Sequence, residues 1–362
     1  MKKILIFSLA YYPRVGGAEV AIKEITDRIR DIEFHMLTLR FGSGPREEKI
    51  GNIQVHRVGW GSAYISKILF VPIASYAAIR LHRQTRFDGA WVMMSYMLLP
   101  LVLAGLRIPY ALTLQEGDTE RHMFARLRIL PFLYLLRRGF RNATAVSALS
   151  TFLAAWAQRM GYRGNVEIIP NGADIQKFSG QKIPHQGTVL VTSSRLVHKN
   201  AIDDVIRALA LVPDIRFHVA GEGPEEVKLK TLARELGVED RIKWFGYVEH
   251  ARLVDLLHTS DIYVRPSRSE GFGASFAEAM AAEIPVITTQ EGGLKDFISN
   301  DTAWVVEKDR PDQIALQIKA ILSNPAAAQK VVTAARKLAE DKYDWDLIAK
   351  NMREKVFARV LE

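Results

Sequence analysis

The chain has 362 residues, 48% of them hydrophobic and 25% charged, which excludes a disordered or fibrous protein and implies two domains with a cleft between them. It contains no cysteine, so disulfides, thiolate catalysis and zinc clusters are excluded and a cytoplasmic location is expected. The formal charge of +9 is concentrated in the first half: residues 1–165 hold 23 Lys and Arg against 11 Asp and Glu, and the remainder 26 against 29. Nucleic acid, anionic lipid or an acidic acceptor would each explain such a surface, and no nucleic-acid motif accompanies it.

Met1-Lys2-Lys3 precedes an apolar stretch, 4–9, that is too short for a signal-peptide core and reads as the first strand. Tyr11-Tyr12-Pro13-Arg14-Val15-Gly16-Gly17-Ala18-Glu19 leads into an amphipathic helix over 18–29. Gly16-Gly17 at its start offers backbone amides to a phosphate, although the dinucleotide fingerprint Gly-x-Gly-x-x-Gly is absent. Strands over 34–39 and 53–58 follow, separated by a polar loop over 42–51; His35 and His56 share strand faces with apolar residues and read as structural. A helix over 65–86 combines an apolar body with Lys67, Arg80, Arg83 and Arg86. Residues 89–106 carry no charge, a length that raises a membrane span, but Pro100 and the internal pattern favour a buried strand over 91–94 and a helix behind it.

A strand over 110–114 ends in Gln115-Glu116-Gly117-Asp118, at the carboxyl end where open α/β sheets bind ligands. Residues 121–141 hold six arginines and no acid, interleaved with large apolar residues. This is either a membrane-surface element or a helix that packs its apolar face on the sheet and leaves the arginines in solvent. A strand over 143–147, a helix over 148–160 and a strand over 166–169 complete the first half, before the turn Pro170-Asn171-Gly172 and a polar linker over 175–187.

In the second half a strand over 188–193 delivers Arg195 and Lys199, a fork and a point charge suited to two neighbouring phosphates. Strands over 215–220 and 242–248 follow. The stretch from Ser267 to Met280 then carries two carboxylates eight residues apart, between a buried strand over 262–264 and a run of helix formers from Ala274. The amides of Gly273, Ala274 and Ser275 lack intrahelical acceptors and, with the helix dipole, favour an anion. Gly271 and Gly273 let the backbone approach a ligand, and Glu270 and Glu278 flank the site as acceptors for hydroxyl groups. A polyhydroxylated, phosphate-bearing ligand fits. A strand over 285–289, Glu291-Gly292-Gly293, and helices from Asp312 and from Asp344 close the chain. Walker A, His-Glu-x-x-His and Gly-x-Ser-x-Gly motifs are absent.

Glu270-x7-Glu278 in this strand, loop and helix resembles the signature of retaining nucleotide-sugar glycosyltransferases with two Rossmann-like domains, family 4 in particular. The resemblance extends over nearly the whole chain. Tyr12-Pro13-x-x-Gly16-Gly17-x-Glu19 resembles the family's loop over the donor diphosphate, and Tyr247 and Val248 lie where the family has its base pocket. Relatives often place the lysine at Asn200 rather than Lys199, usually have glycine at Glu283, which reads as a surface change, and in many cases have histidine at Gln115. Asp344-Trp345-Asp346 matches the metal-binding Asp-x-Asp of the other major glycosyltransferase architecture, but its place suits an N-cap.

The resemblance implies an α/β fold of GT-B architecture, with Rossmann-like domains over 1–174 and 188–340 facing across a cleft and residues 344–362 returning to the first. It implies donor contacts from Gly16, Gly17, Arg195, Lys199, Tyr247, Val248, Glu270, Gly271, Phe272, Gly273, Ala274, Ser275 and Glu278. Asp118 is the first choice of acid-base or sugar-orienting residue and Glu116 the second, with Arg195 and Glu270 as the other catalytic candidates. It further implies transfer with retention from a UDP-sugar or GDP-sugar to a glycan or lipid-linked acceptor, without metal or other cofactor. The excess of basic residues in the first half, concentrated in 121–141, leads to the expectation of a place at the inner face of the cytoplasmic membrane. A nucleotide-sugar epimerase of similar architecture would use the same cradle but need no basic acceptor face. A non-catalytic sugar-nucleotide-binding protein would keep the cradle and lose the polar group near Gln115.

Overall fold

The structure, a computed structural model, describes residues 1–116 and 130–362. The chain divides into two compact units, Met1–Asn171 with Trp345–Glu362, and Gly172–Asp344. The first unit is built from β1 (Lys2–Phe7), α1 (Gly17–Arg28), β2 (Ile32–Leu39), β3 (Glu47–Ile50), β4 (Ile53–Val58), α2 (Tyr64–Thr85), β5 (Gly89–Met93), α3 (Leu98–Ala104), β6 (Tyr110–Leu114), α4 (Leu133–Asn142), β7 (Ala145–Ala148), α5 (Thr151–Arg159) and β8 (Val166–Ile168). The strands form one sheet in the order β3-β4-β2-β1-β5-β6-β7-β8, parallel except for the β3–β4 pair.

Central strands of this sheet are covered on both faces, which is why β5, β6 and β7 are buried at every residue and carry only apolar residues and the small hydroxyls Thr113 and Ser147. The uncharged stretch over 89–106 is accordingly a core strand followed by α3. The hairpin strand β3 falls inside the stretch read as a polar loop: it lies at the sheet edge, half exposed and bearing Glu47, Glu48 and Lys49, so it carries no apolar signal. Of the arginine-rich segment, Arg121, Arg126 and Arg128 lie outside the described residues. Its described part ends in α4, which buries Leu136, Gly139 and Phe140 and exposes Arg137, Arg138 and Arg141. That is the geometry of a helix packed on the domain by its apolar side.

The second unit comprises α6 (Ile175–Phe178), β9 (Thr188–Ser193), α7 (Ile202–Leu209), β10 (Ile215–Ala220), α8 (Glu226–Glu235), β11 (Ile242–Gly246), α9 (His250–His258), β12 (Ile262–Arg265), α10 (Ala274–Ala281), β13 (Val286–Thr288), β14 (Trp304–Val305), α11 (Pro311–Ser323) and α12 (Pro325–Lys342). Its sheet is wholly parallel, in the order β11-β10-β9-β12-β13-β14. Residues 175–187, read as a linker, belong to this unit: α6 buries Ile175 and Phe178 against it.

The chain ends in α13 (Trp345–Asn351), a π-helical turn at Met352–Phe357 and α14 (Ala358–Leu361). These residues belong to the first unit, where Phe357 sits against Trp91 at 5.1 Å and Phe34 at 5.9 Å between ring centres. Asp346, in the Asp-x-Asp sequence, is exposed and pairs with Arg28 at 2.6 Å.

Candidate active site

In each sheet the strand order reverses once, between β1 and β5 in the first unit and between β9 and β12 in the second. Loops leaving the carboxyl ends of strands at such a reversal diverge to opposite faces and leave a crevice for a ligand. In the second unit those loops are residues 194–200, with Arg195 and Lys199, and residues 266–273, with Glu270.

Arg268 joins the two loops. Its backbone amide donates to the Lys199 carbonyl at 2.7 Å and its Nη1 to the His198 carbonyl at 2.8 Å. The same guanidinium makes a two-pronged contact with Asp203 at 2.8 and 2.9 Å, and reaches Asp204 at 2.9 Å and Asp309 at 2.6 Å. Asp203 and Asp204 open α7, where carboxylates suit the helix dipole. Burial, with Asp203 alongside, pushes the Asp204 carboxyl up to about 6, whereas burial of Asp203 is outweighed by its Arg268 bonds and its carboxyl is held down. On the other side of residues 194–200, Gly221 and Gly223 pack so closely that a Cβ on either would overlap the carbonyl oxygens of Ser194 and Leu196.

Arg195 is exposed, and among the described residues its guanidinium has no partner. Its carbonyl accepts the Val197 amide at 3.0 Å and the Asn200 side chain at 2.7 Å, so the loop is fixed while the cation stays available. This gives Asn200 a buried, structural task.

Glu270 is held from two sides: Arg265 Nη2 donates to Oε2 at 3.0 Å and the Gly271 amide to Oε1 at 3.0 Å. Gly273 has φ +81°, and a Cβ there would lie 2.6 Å from Arg265 Nη2 and 2.7 Å from the Phe276 ring. Glycine is therefore required by the backbone and by the protein's own packing, and the room beside Gly273 is filled by Arg265. At the start of α10 the Phe276 amide donates to the Gly273 carbonyl at 3.0 Å. The amides of Ala274 and Ser275 bond to no acceptor among the described residues. The Ser275 hydroxyl is 2.7 Å from that of Tyr263, and Phe272 is buried between Phe297 and Tyr343, so those two side chains serve packing. Glu278, buried on α10, meets His250 Nε2 at 3.2 Å, and His250 also lies edge-on to Phe178. Tyr247 is exposed and Val248 half-buried on the segment before α9, where the Tyr247 amide donates to Glu222 at 3.1 Å.

In the first unit the Gly16 amide is taken by Glu19 Oε2 at 2.7 Å, so the N3 carboxylate caps the start of α1 from one side only, glycine having no side chain to return the bond. The amides of Gly17 and Ala18 bond to no acceptor among the described residues. A Cβ on Gly17 would lie 3.7 Å from Asn171 Nδ2, and Asn171 in turn exchanges hydrogen bonds with Gln115 at 3.0 and 3.4 Å. Gln115 is thus a buried amide partner of the Pro-Asn-Gly turn. Glu116 points inward as well: Oε1 accepts the Ser95 amide at 2.6 Å, Oε2 has no partner among the described residues, and burial raises its pKa. It braces the turn at Met94, a non-glycine residue at φ +70°. Asp118 lies outside the described residues.

Arg265, Arg268 and His250 were not singled out by sequence reasoning. The first two stand in or beside the quoted loop, but their partners come from elsewhere in the unit, and His250 lies next to Tyr247 and Val248 without a motif. Among the described residues no group of three or more His, Asp or Glu side chains is arranged to hold a metal ion.

Comparison with known proteins agrees across the chain. The family model described as Glycosyltransferase Family 4 matches residues 15–177, and that described as Glycosyl transferases group 1 matches residues 174–338. A GDP-mannose-dependent monoacylated alpha-(1-6)-phosphatidylinositol monomannoside mannosyltransferase of Corynebacterium glutamicum is 22% identical over 97% of both chains. Sucrose-phosphate synthase from Thermosynechococcus elongatus superposes with a TM-score of 0.87 at 18% identity, over 99% of this chain and 100% of that one. Anabaena HepE in complex with UDP-glucose superposes with a TM-score of 0.82 at 19% identity and the same coverage. Both structural likenesses concern the fold.

Proposed function

We propose that this chain, which belongs to glycosyltransferase family 4 and has the GT-B architecture, is a retaining hexosyltransferase. It takes a sugar from a UDP-sugar or GDP-sugar and passes it to a lipid-linked or polysaccharide acceptor in cell-envelope glycan synthesis. The observation that carries this reading is the second-unit cradle: an Arg195 guanidinium and helix-start amides that have no partner among the described residues, and Glu270 and Glu278 each held by a cationic or hydrogen-bonding neighbour. In this reading Arg195 and the amides of α10 meet the diphosphate and stabilise the negative charge that grows as it leaves. Glu278 accepts ribose hydroxyls and Glu270 orients the sugar.

The acceptor belongs to the basic first unit, and the lipid in the name of the Corynebacterium relative supports a membrane-held acceptor at the inner face of the cytoplasmic membrane. No metal or other cofactor takes part. Of the acid-base candidates, Glu116 is occupied as a brace, which leaves Asp118 as the residue to substitute. Incubation with a panel of nucleotide sugars, with and without a lipid extract, tests the reading. Nucleotide release that depends on lipid, with the anomeric configuration kept in the product, is expected; interconversion of the nucleotide sugar without transfer, or no turnover of any donor, would overturn it.

A further inference from the structure

The longest helix of the first unit is apolar on its outward side as well as toward the core. α2 buries Phe70, Ala74, Ser75 and Ala78, and the Ser75 hydroxyl lies 3.0 Å from the Pro100 carbonyl of α3. Of these four only Phe70 is large, and Val71, Ile73, Ile79 and Leu81 are half-buried beside them. The outward face repeats at helical spacing as Ile65, Ile68, Leu69 and Tyr76, and the stripe continues into Arg80 and Arg83. Trp60 and Tyr64 prolong the apolar part upstream. Exposure of these six apolar and aromatic side chains runs from 43% at Leu69 to 71% at Tyr76. A surface helix normally turns its apolar stripe to the core, and a contiguous exposed patch of this kind marks an interaction face.

Charge identifies the partner. No Asp or Glu occurs between Glu48 and Asp88, while Lys67, Arg80, Arg83 and Arg86 lie on or just beyond α2. All four are exposed, and among the described residues none has an ion-pair partner. By length and composition α2 could cross a bilayer, but its inner side is packed on β2, β4 and α3, which holds it along the surface of the unit.

We propose that this face docks the protein on an anionic membrane leaflet. The aliphatic side chains of the first turns enter the boundary between headgroups and acyl chains, with Trp60, Tyr64 and Tyr76 at that level. Arg80, Arg83 and Arg86 meet the lipid phosphates. The inference rests on the reading of a membrane-held acceptor for its purpose only, and it places docking on α2 rather than on the arginine-rich segment that ends in α4.

The test is sedimentation of the full chain with vesicles of phosphatidylcholine alone and of phosphatidylcholine mixed with phosphatidylglycerol, at one ionic strength. Wild type is expected to sediment with the mixed vesicles. Ile68→Glu with Leu69→Glu should lower that partition about tenfold or more, and Arg80→Ala with Arg83→Ala should lower both the partition and its sensitivity to salt. Arg137→Ala with Arg138→Ala on α4 should leave it within about twofold. UDP or GDP binding by each variant confirms that it is folded. Negligible binding of wild type to either vesicle overturns the proposal, as does loss in the α4 pair with retention in both α2 pairs. A dimer that the Ile68→Glu, Leu69→Glu pair converts to monomer, with vesicle binding unchanged, assigns the face to a second copy and overturns it too. Turnover of nucleotide sugar is scored separately: turnover without vesicle binding sinks the docking alone, and vesicle binding without turnover of any donor sinks the enzymatic reading alone.

Discussion

Arg265 donates to Glu270 across 3.0 Å while its guanidinium carbon lies 4.2 Å from the centre of the Phe276 ring. The first carboxylate of the cradle is therefore anchored from β12 and from α10 before any ligand binds. Both side chains of the pair are largely buried, so Glu270→Ala strands a buried cation and should cost about 3–5 kcal/mol of stability as well as turnover. Glu270→Gln keeps an oxygen for the Gly271 amide or for Arg265 and should recover part of that stability while turnover stays low. Urea unfolding beside initial rates separates the two effects; a Gln variant with full turnover would remove the carboxylate charge from the reaction.

Glu278 faces His250 rather than solvent, and the pair lies beside the segment bearing Tyr247 and Val248. Glu278→Ala should weaken nucleotide binding by about 1.5–3 kcal/mol, the range for a hydrogen bond to a charged group. His250→Ala should weaken it less, because it loosens the carboxylate without deleting it. Calorimetric titration with UDP and GDP decides, and unchanged affinity in Glu278→Ala would take this residue off the ribose.

Arg195 has the opposite character: it is exposed, without a side-chain partner among the described residues, on a loop held through its carbonyl. Arg195→Ala should leave the melting temperature unchanged and lower kcat by about a hundredfold, since leaving-group charge grows in the transition state. A change in KM alone would mean uniform binding and no part in the chemical step.

Asp204 gives stability a pH dependence. Its carboxyl is pushed up to about 6 by burial first and by Asp203 next, against the attraction of Arg268, with Asp309 adding repulsion and Arg207 attraction. An acid raised in the folded state binds a proton there that the unfolded chain has already lost. The contribution is thus fully present below about pH 4 and is lost as pH rises through about 6. Asp203, held down by Arg268 after burial is outweighed, works in the other direction at lower pH. Asp204→Asn should flatten the wild-type decline in urea midpoint between about pH 4 and 6 and raise the midpoint above it; parallel curves for the two proteins would refute this account.

The legibility of the chain followed the range of the forces involved. Buried parallel strands such as Tyr110–Leu114 and Thr188–Ser193 announce themselves because each residue is apolar or a small hydroxyl. Glu270, Glu278 and the start of α10 were legible because strand, turn and helix signals lie within twenty residues. β3 was not, because an edge strand of alternating exposure carries no hydrophobic pattern. Glu283 reads from the sequence as a surface change; it is exposed, but φ is +55°, and that backbone requirement gives a physical reason for the glycine usual in relatives. Composition of α2 shows an apolar helix, while only its packing shows that Ile65, Ile68, Leu69 and Tyr76 point outward and Phe70 inward. Glu116, the second acid-base choice, and Gln115 beside it look available in the sequence, yet hydrogen bonds to Ser95 and Asn171, fixed by tertiary contact, turn both inward.

Arg268 offers the most demanding test of how the cradle is held. One planar guanidinium serves Asp203, Asp204, Asp309 and the His198 carbonyl together, while the backbone of the same residue bonds Lys199. Lysine keeps the positive charge but brings a single ammonium with three donors, which cannot match a two-pronged carboxylate and three further acceptors. Arg268→Lys should therefore leave the net charge untouched and still let residues 194–200 and 266–273 drift apart. The expected result is a rise in donor KM of about tenfold with a smaller fall in kcat, since the groups that meet the nucleotide remain but are no longer preorganised. Stability should fall by about 1–3 kcal/mol, the usual range for breaking part of a buried charged network. Asp203→Asn should act in the same direction, and the double variant should lose less than the sum because both changes cut the same bonds. Full additivity in that cycle would mean that Arg268 and Asp203 act separately, and the two loops would then need another tie.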